Sequence, residues 1–236
     1  MIKALLLFLA SLKLGKVLLS VGSMLVTIWV YTTIYGLPFA AGFVGLILVH
    51  ELGHYAAARQ RGLDVGLPMF IPFLGAWITL KDRLVDAETE AYVAYAGPFI
   101  GTLGAFAVYF LARAEESDLL MALAYSGFMI NLFNLIPLSP LDGGRITQIL
   151  SPRIWFLGVP LLVALFFYFP SPLLILIAVL AAPSLLAAWR YDPNSPEARR
   201  YRDVPTAVRM EYTILYLGLA VVLALLAYNI HESLRH

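Results

Sequence analysis

Cysteine is absent from this chain, so no disulfide framework can staple it. Charge is scarce too. Only 13% of the residues are Asp, Glu, Lys or Arg, against roughly 25% in an ordinary soluble domain. Long polar stretches are also missing; the longest are Lys81 to Glu90 and Arg190 to Thr206. That excludes a separate soluble domain. The net charge is only +1 and the basic residues are scattered, so neither a strong polyanion partner nor a nucleic-acid footprint is implied. No repeat of fixed period is present. Against these absences stands an apolar content of 61%, more than a soluble core of 236 residues could hide. The class that remains is a polytopic membrane protein, with the lipid bilayer as a partner.

Apolar runs near the membrane length of about 20 residues are expected to cross at Val17–Tyr35, Leu37–Arg59, Ala91–Leu111, Leu119–Leu138, Ile154–Phe169, Leu173–Trp189 and Tyr212–Ile230. Residues 1–12 resemble a signal-peptide core, but Lys13 and Lys16 follow where a small-residue cleavage site should be. An interfacial helix is expected there rather than a span. With the amino terminus in the cytoplasm, every lysine and arginine except Arg113 and Arg235 falls on the inner side, as the positive-inside rule requires.

One span carries groups that do not belong in hydrocarbon. LVHELGHYAAARQ holds two histidines and a glutamate before its first arginine. Such groups are costly at membrane depth and mark function. His50 and His54 are four apart, so on a helix both imidazoles share one face. Two imidazoles at that spacing suit one zinc ion, with Glu51 beside them as general base toward a water on the metal. His231 and His236, beyond the last span, are expected to be merely interfacial.

A catalytic zinc takes three protein ligands and keeps one position open. Asp142 is the only acidic residue between Asp118 and Asp192. It sits in NLFNLIPLSPLDGGR, where Pro137 and Pro140 break the helix. Broken backbone at membrane depth is tolerated where it lines a polar cavity. Depth offers a check. His54 and His50 lie roughly 8 to 13 Å along the helix from Arg59, and Asp142 lies three residues before Arg145. All three thus fall in the inner half of parallel spans. The plainer alternative for Asp142 is an Asp-Gly turn.

HELGH followed two spans later by NLIPLSPLDGG, with AYAGPFIG between, resembles the site-2 protease family of intramembrane zinc metalloproteases. The likeness runs from about Leu37 to Arg145. It implies His50, His54 and Asp142 as ligands of one zinc ion, Glu51 as catalytic acid/base, and Asn134 as a residue positioning the substrate or oxyanion. Asn131 is a nearby competitor for that last role. The resemblance further implies a transmembrane protein substrate, cut within or near its membrane segment in regulated intramembrane proteolysis. A prokaryotic plasma membrane is the expected location, with the active site toward the cytoplasm. Some family members carry PDZ or CBS domains. This chain has room for neither, so it resembles a minimal branch regulated by a membrane partner or by the substrate itself.

The expected fold is an all-α polytopic membrane protein with about six to seven transmembrane helices. A short membrane-embedded β-hairpin is expected after the HELGH helix, because Pro68 and Pro72 interrupt the apolar loop Gly62–Asp82. An exposed edge there could bind an unwound substrate as an added strand; an amphipathic anchoring loop is the plainer reading. Gly97 and Gly101 share a helix face and are expected to let helices pack closely. The chain divides into an N-terminal segment and first span (1–36), a catalytic core (37–153) and C-terminal helices (154–236) with a cytoplasmic linker at 190–208. Two rival functions are an inactive homologue that binds membrane proteins and a metal or proton transporter. A transporter needs acidic groups along a route across the membrane, whereas here they cluster on one side.

Overall fold

The computed structural model describes residues 2–73, 75–77 and 86–235, with side chains omitted for 2–13, 77 and 233–235. The described residues hold nine α-helices, one 3-10 helix and one two-stranded sheet. Helix α1 (Ile2–Tyr35) runs into α2 (Leu37–Gln60) through Gly36, whose φ of 81° is a conformation that glycine adopts without a side-chain clash. The hairpin of β1 (Met69–Ile71) and β2 (Gly75–Trp77) follows. Then come α3 (Ala87–Ala114) and α4 (Asp118–Asn134). Asp86 caps α3 by accepting from the Thr89 amide at 2.7 Å, and Ser117 caps α4.

After α4 the chain is irregular through two prolines until the short α5 (Asp142–Thr147). A 3-10 turn (Pro152–Leu157) leads into α6 (Gly158–Tyr168), then α7 (Pro172–Trp189), α8 (Pro196–Tyr201) and α9 (Thr206–Arg235). The core lies where α3 packs on α2 and α4, with α1 behind α2 and α9 behind α4. Phe128, Ala105, Ala124 and Leu223 fill it.

Among the described residues, five helices are long and apolar enough to cross a membrane: Leu14–Tyr35, Leu37–Gln60, Ala87–Ala114, Pro172–Trp189 and Thr206–Glu232. The other two expected spans are shorter. Helix α4 has 17 residues because Pro137 and Pro140 follow its end. Pro152 and Pro170 bound the apolar stretch Pro152–Tyr168. Residues 2–12, expected to form a separate interfacial helix, instead continue α1 without a break.

The hairpin forms where it was expected, pairing Met69 with Trp77, Phe70 with Ala76 and Ile71 with Gly75. Helix α1 holds it. Ser20 Oγ donates to the Pro68 carbonyl (2.6 Å), the Phe70 amide donates to Ser23 Oγ (3.0 Å) and the Phe73 amide to the Tyr31 hydroxyl (3.0 Å). Phe70 is buried against Tyr31, Val44 and Ile47. Because the Phe70 amide turns toward α1, its partner Ala76 directs its own N–H and C=O away from β1, as residues of a non-hydrogen-bonded antiparallel pair do.

Candidate metal centre

Helix α2 turns His50, Glu51, Gly53 and His54 inward and leaves Leu52 46% exposed on the outer face. Gly53 lets α3 come close: a Cβ there would stand 2.5 Å from the Ala96 carbonyl oxygen. The two imidazoles meet edge to face, and their Nε2 atoms are 3.1 Å apart. Asp142, at the first position of α5, brings Oδ2 to 3.2 Å from both Nε2 atoms. All three side chains are buried. Among the described residues they are the only such group able to hold a metal ion.

The protons on these rings can be assigned from their partners. His54 Nδ1 lies 2.8 Å from the Val93 carbonyl, which can only accept, so Nδ1 carries the proton. His50 Nδ1 lies 2.8 Å from Asn131 Oδ1. The Asn131 amide nitrogen is committed as donor to the Gly127 carbonyl (2.7 Å), which turns its oxygen toward His50. His50 Nδ1 therefore donates as well. In the neutral imidazoles, the form that binds a metal, both Nε2 atoms then present lone pairs to each other and to a carboxylate oxygen. Three such donors facing one another in a buried space repel unless a cation lies between them. Their spacing suits one: a tetrahedral zinc ion with ordinary bond lengths sets its ligand atoms roughly 3.3 Å apart.

Space for this arrangement is cut into α3. A Cβ on Gly97 would sit 2.2 Å from His54 Nε2, and one on Gly101 would sit 2.3 Å from Asn131 Oδ1. The sequence alone reads these glycines as packing residues. In the structure they also clear the room that an imidazole and its supporting amide occupy. Gly143 does the same for the chain around Asp142, where a Cβ would fall 2.2 Å from the Leu135 carbonyl oxygen.

Glu51 is buried beside the triad, in electrostatic reach of His50, His54, Asp142 and Arg145. Its carboxylate makes no hydrogen bond to a described residue, which leaves it free to meet water. Asn134 makes no hydrogen bond to the triad among the described residues. It is half-buried, and its amide donates to Ile130 of its own helix at 3.1 Å. His231 stacks on Tyr125 and takes no part; His236 lies outside the described residues.

Behind Asp142 runs a polar chain that the sequence did not reveal. Arg145 Nη1 lies 3.7 Å from Asp142 Oδ1, and its Nε lies 3.4 Å from Glu90 Oε1. Glu90 also accepts from Gln148 and from the Tyr201 hydroxyl. Burial, with the Glu90 carboxylate beside it, pushes the Tyr201 phenol well above its ordinary range, so it stays protonated and donates. No periodicity announces a contact between residues 111 apart.

Residues 38–117 match Peptidase family M50. The matched stretch contains HELGH and all but the start of α2 together with α3, and stops before Asp142. The zinc metalloprotease MJ0392 of Methanocaldococcus jannaschii is 31% identical over 121 residues, 49% of this chain and 34% of that protein. The "Probable zinc metalloprotease EGY1, chloroplastic" of Arabidopsis thaliana is 28% identical over 159 residues, 48% of this chain and 29% of that one. Among solved structures, the "Site-2 Protease from Methanocaldococcus jannaschii" aligns over 77% of this chain and 87% of its own, at 22% identity and a TM-score of 0.47. The chain spans about a third of the length of the curated relatives it matches. The stretch from α2 through α3 thus matches a peptidase family model and zinc metalloprotease sequences, in agreement with the resemblance that the motifs carry.

Proposed function

We propose that this chain is an intramembrane zinc metalloprotease, which cleaves a membrane-anchored protein within or near its transmembrane segment. The observation that carries the reading is the buried convergence of His50 Nε2, His54 Nε2 and Asp142 Oδ2, with an uncommitted Glu51 carboxylate beside them. Two imidazoles and a carboxylate are a zinc donor set, and a zinc ion held there supplies the Lewis acidity that polarises a peptide carbonyl and activates water. Asn131 and the Val93 carbonyl keep the two imidazoles in the tautomer that offers Nε2. Glu51 takes the proton of the attacking water and returns it to the leaving amine. The names of the relatives, all zinc metalloproteases, support the same chemistry.

Substrate enters as an extended segment. A peptide bond inside a helix is hydrogen-bonded and poorly accessible, so the substrate must unwind. The outward-facing Ala76 N–H and C=O on β2 can pair with it as an added strand. Asn134 lies on the same helix as Asn131, with one amide hydrogen committed to Ile130 and the rest of its amide free to position substrate. The site faces the cytoplasm of a prokaryotic cell and releases its product there, as the distribution of Lys and Arg supports. The catalytic core is 37–153, and a membrane partner or the substrate itself regulates it.

Co-expression with a panel of single-span candidate substrates tests this, with wild type and Glu51→Gln side by side. A fragment made by wild type and absent with the variant is the expected outcome. An unchanged fragment pattern with Glu51→Gln contradicts the assignment. Zinc bound with no cleavage of a broad panel favours the binding-only homologue, and metal-dependent transport by both proteins favours a transporter.

A further inference from the structure

Four arginines converge on one cavity that the proposed protease chemistry does not use. Arg153 comes from the 3-10 turn, Arg199 from α8, Arg202 from the segment after it and Arg209 from the first turn of α9. The cavity has a volume of about 430 Å³. None of the four pairs with a carboxylate among the described residues. Their bonds go to neutral oxygens. Arg153 donates to the Tyr191 carbonyl (3.1 Å), Arg199 to Asn194 Oδ1 (3.2 Å), Arg202 to the Gln148 carbonyl (3.0 Å) and Tyr191 hydroxyl (2.5 Å), and Arg209 to the Val204 and Arg202 carbonyls (3.2 and 2.7 Å). The contrast is internal to the molecule: Arg61 pairs with Glu88 and Arg145 with Glu90. One carboxylate, Asp203, lines the cavity, against four guanidinium groups.

The position of the cavity narrows what these charges meet. It sits between the end of α7 at Trp189 and the start of α9 at Thr206, both helices of membrane-spanning length. Trp189 is exposed there, as an aromatic residue at the membrane-water boundary is expected to be. That boundary is where lipid phosphates lie. Each guanidinium keeps N–H donors beyond those spent above, in a planar fork that fits phosphate oxygens. We propose that this cavity binds a phosphate group, supplied by the headgroup of an anionic phospholipid. Tyr191, beneath the Arg202 guanidinium at 4.4 Å, forms its floor. Arg202 also grips the Gln148 carbonyl, just after α5, so an occupied cavity fastens the 190–208 linker to the element that carries Asp142.

Native mass spectrometry of the full chain in neutral detergent tests the proposal, with phosphatidylglycerol and phosphatidylcholine titrated separately. The first equivalent of phosphatidylglycerol is expected to bind more tightly than phosphatidylcholine. Arg153→Gln with Arg199→Gln, both at exposed positions, should weaken phosphatidylglycerol binding roughly thirtyfold, at about a fivefold loss per arginine near a lipid surface. The corresponding pair of lysine replacements should keep most of the affinity. Lys16→Gln with Arg59→Gln, exposed basic residues outside the cavity, should leave it unchanged. Inorganic phosphate identifies the source. Failure of millimolar phosphate to displace the lipid supports the headgroup, while displacement supports the phosphate site with a soluble ligand as well. Equal affinity for the two lipids, or an equal loss in the Lys16/Arg59 pair, overturns the proposal.

Discussion

At the scale of single residues, the site depends on which nitrogen of each imidazole is left free, and small neighbours decide that. Asn131→Ala removes the acceptor of His50 Nδ1 and leaves a buried N–H without a partner. Affinity for zinc or cobalt is expected to fall between about ten- and a hundredfold, the usual range for such supporting partners. Titration of the metal-stripped protein with cobalt, followed by its visible spectrum, measures the loss. Glycines separate more sharply. Gly97→Ala drives a methyl group to 2.2 Å from His54 Nε2 and should remove stoichiometric metal binding. Gly218→Ala, with nothing within 4 Å of its Cβ, should leave metal content and folding as they are. HELGH was legible in the sequence because a helix maps i and i+4 to one face without further information. Asp142 was legible because no other acid competes with it over that stretch. Asn131 was not. It and Asn134 are three residues apart, and only the packing of α4 against α2 and α3 determines which of them reaches His50.

At the scale of elements, the hairpin and its support divide the labour. Pro68 and Pro72 made a broken, non-spanning loop legible, but not what holds it. That work falls to Ser20, Ser23 and Tyr31, polar residues on an apolar helix whose targets are backbone atoms of the loop. Ser23→Ala should cost about 1 kcal/mol of local stability, the net worth of one such bond. Faster hydrogen exchange at the Phe70 amide, with the α3 amides unchanged, is the readout. The two short helices were less legible than the spans. Prolines after α4 and around Pro152–Tyr168 mark where regular helix stops, but an apolar sequence alone does not show how deep the remaining turn reaches. The link from Asp142 through Arg145 and Glu90 to Tyr201 was invisible for a related reason. It joins three elements far apart in sequence through side-chain contacts that follow no period.

At the scale of the whole molecule, membrane class followed from composition, and the family resemblance from two short motifs. The orientation has its own test, helped by the absence of native cysteine. Single cysteines introduced at Ser195 and at Glu116 should react with a membrane-impermeant thiol reagent from opposite sides of the membrane, Ser195→Cys from the cytoplasm. Labelling of both from one side contradicts the arrangement. Everything proposed for the core rests on one point, that three buried donors 3.1 to 3.2 Å apart form a metal centre. The most direct measurement is zinc content per chain with X-ray absorption at the zinc edge, on wild type and on Asp142→Ala. The account predicts about one zinc per wild-type chain, bound by two imidazole nitrogens and oxygen at about 2.0 to 2.2 Å, and markedly weaker retention in the variant. Wild-type protein that holds no zinc after expression with ample metal, or zinc retained unchanged without Asp142, would contradict it.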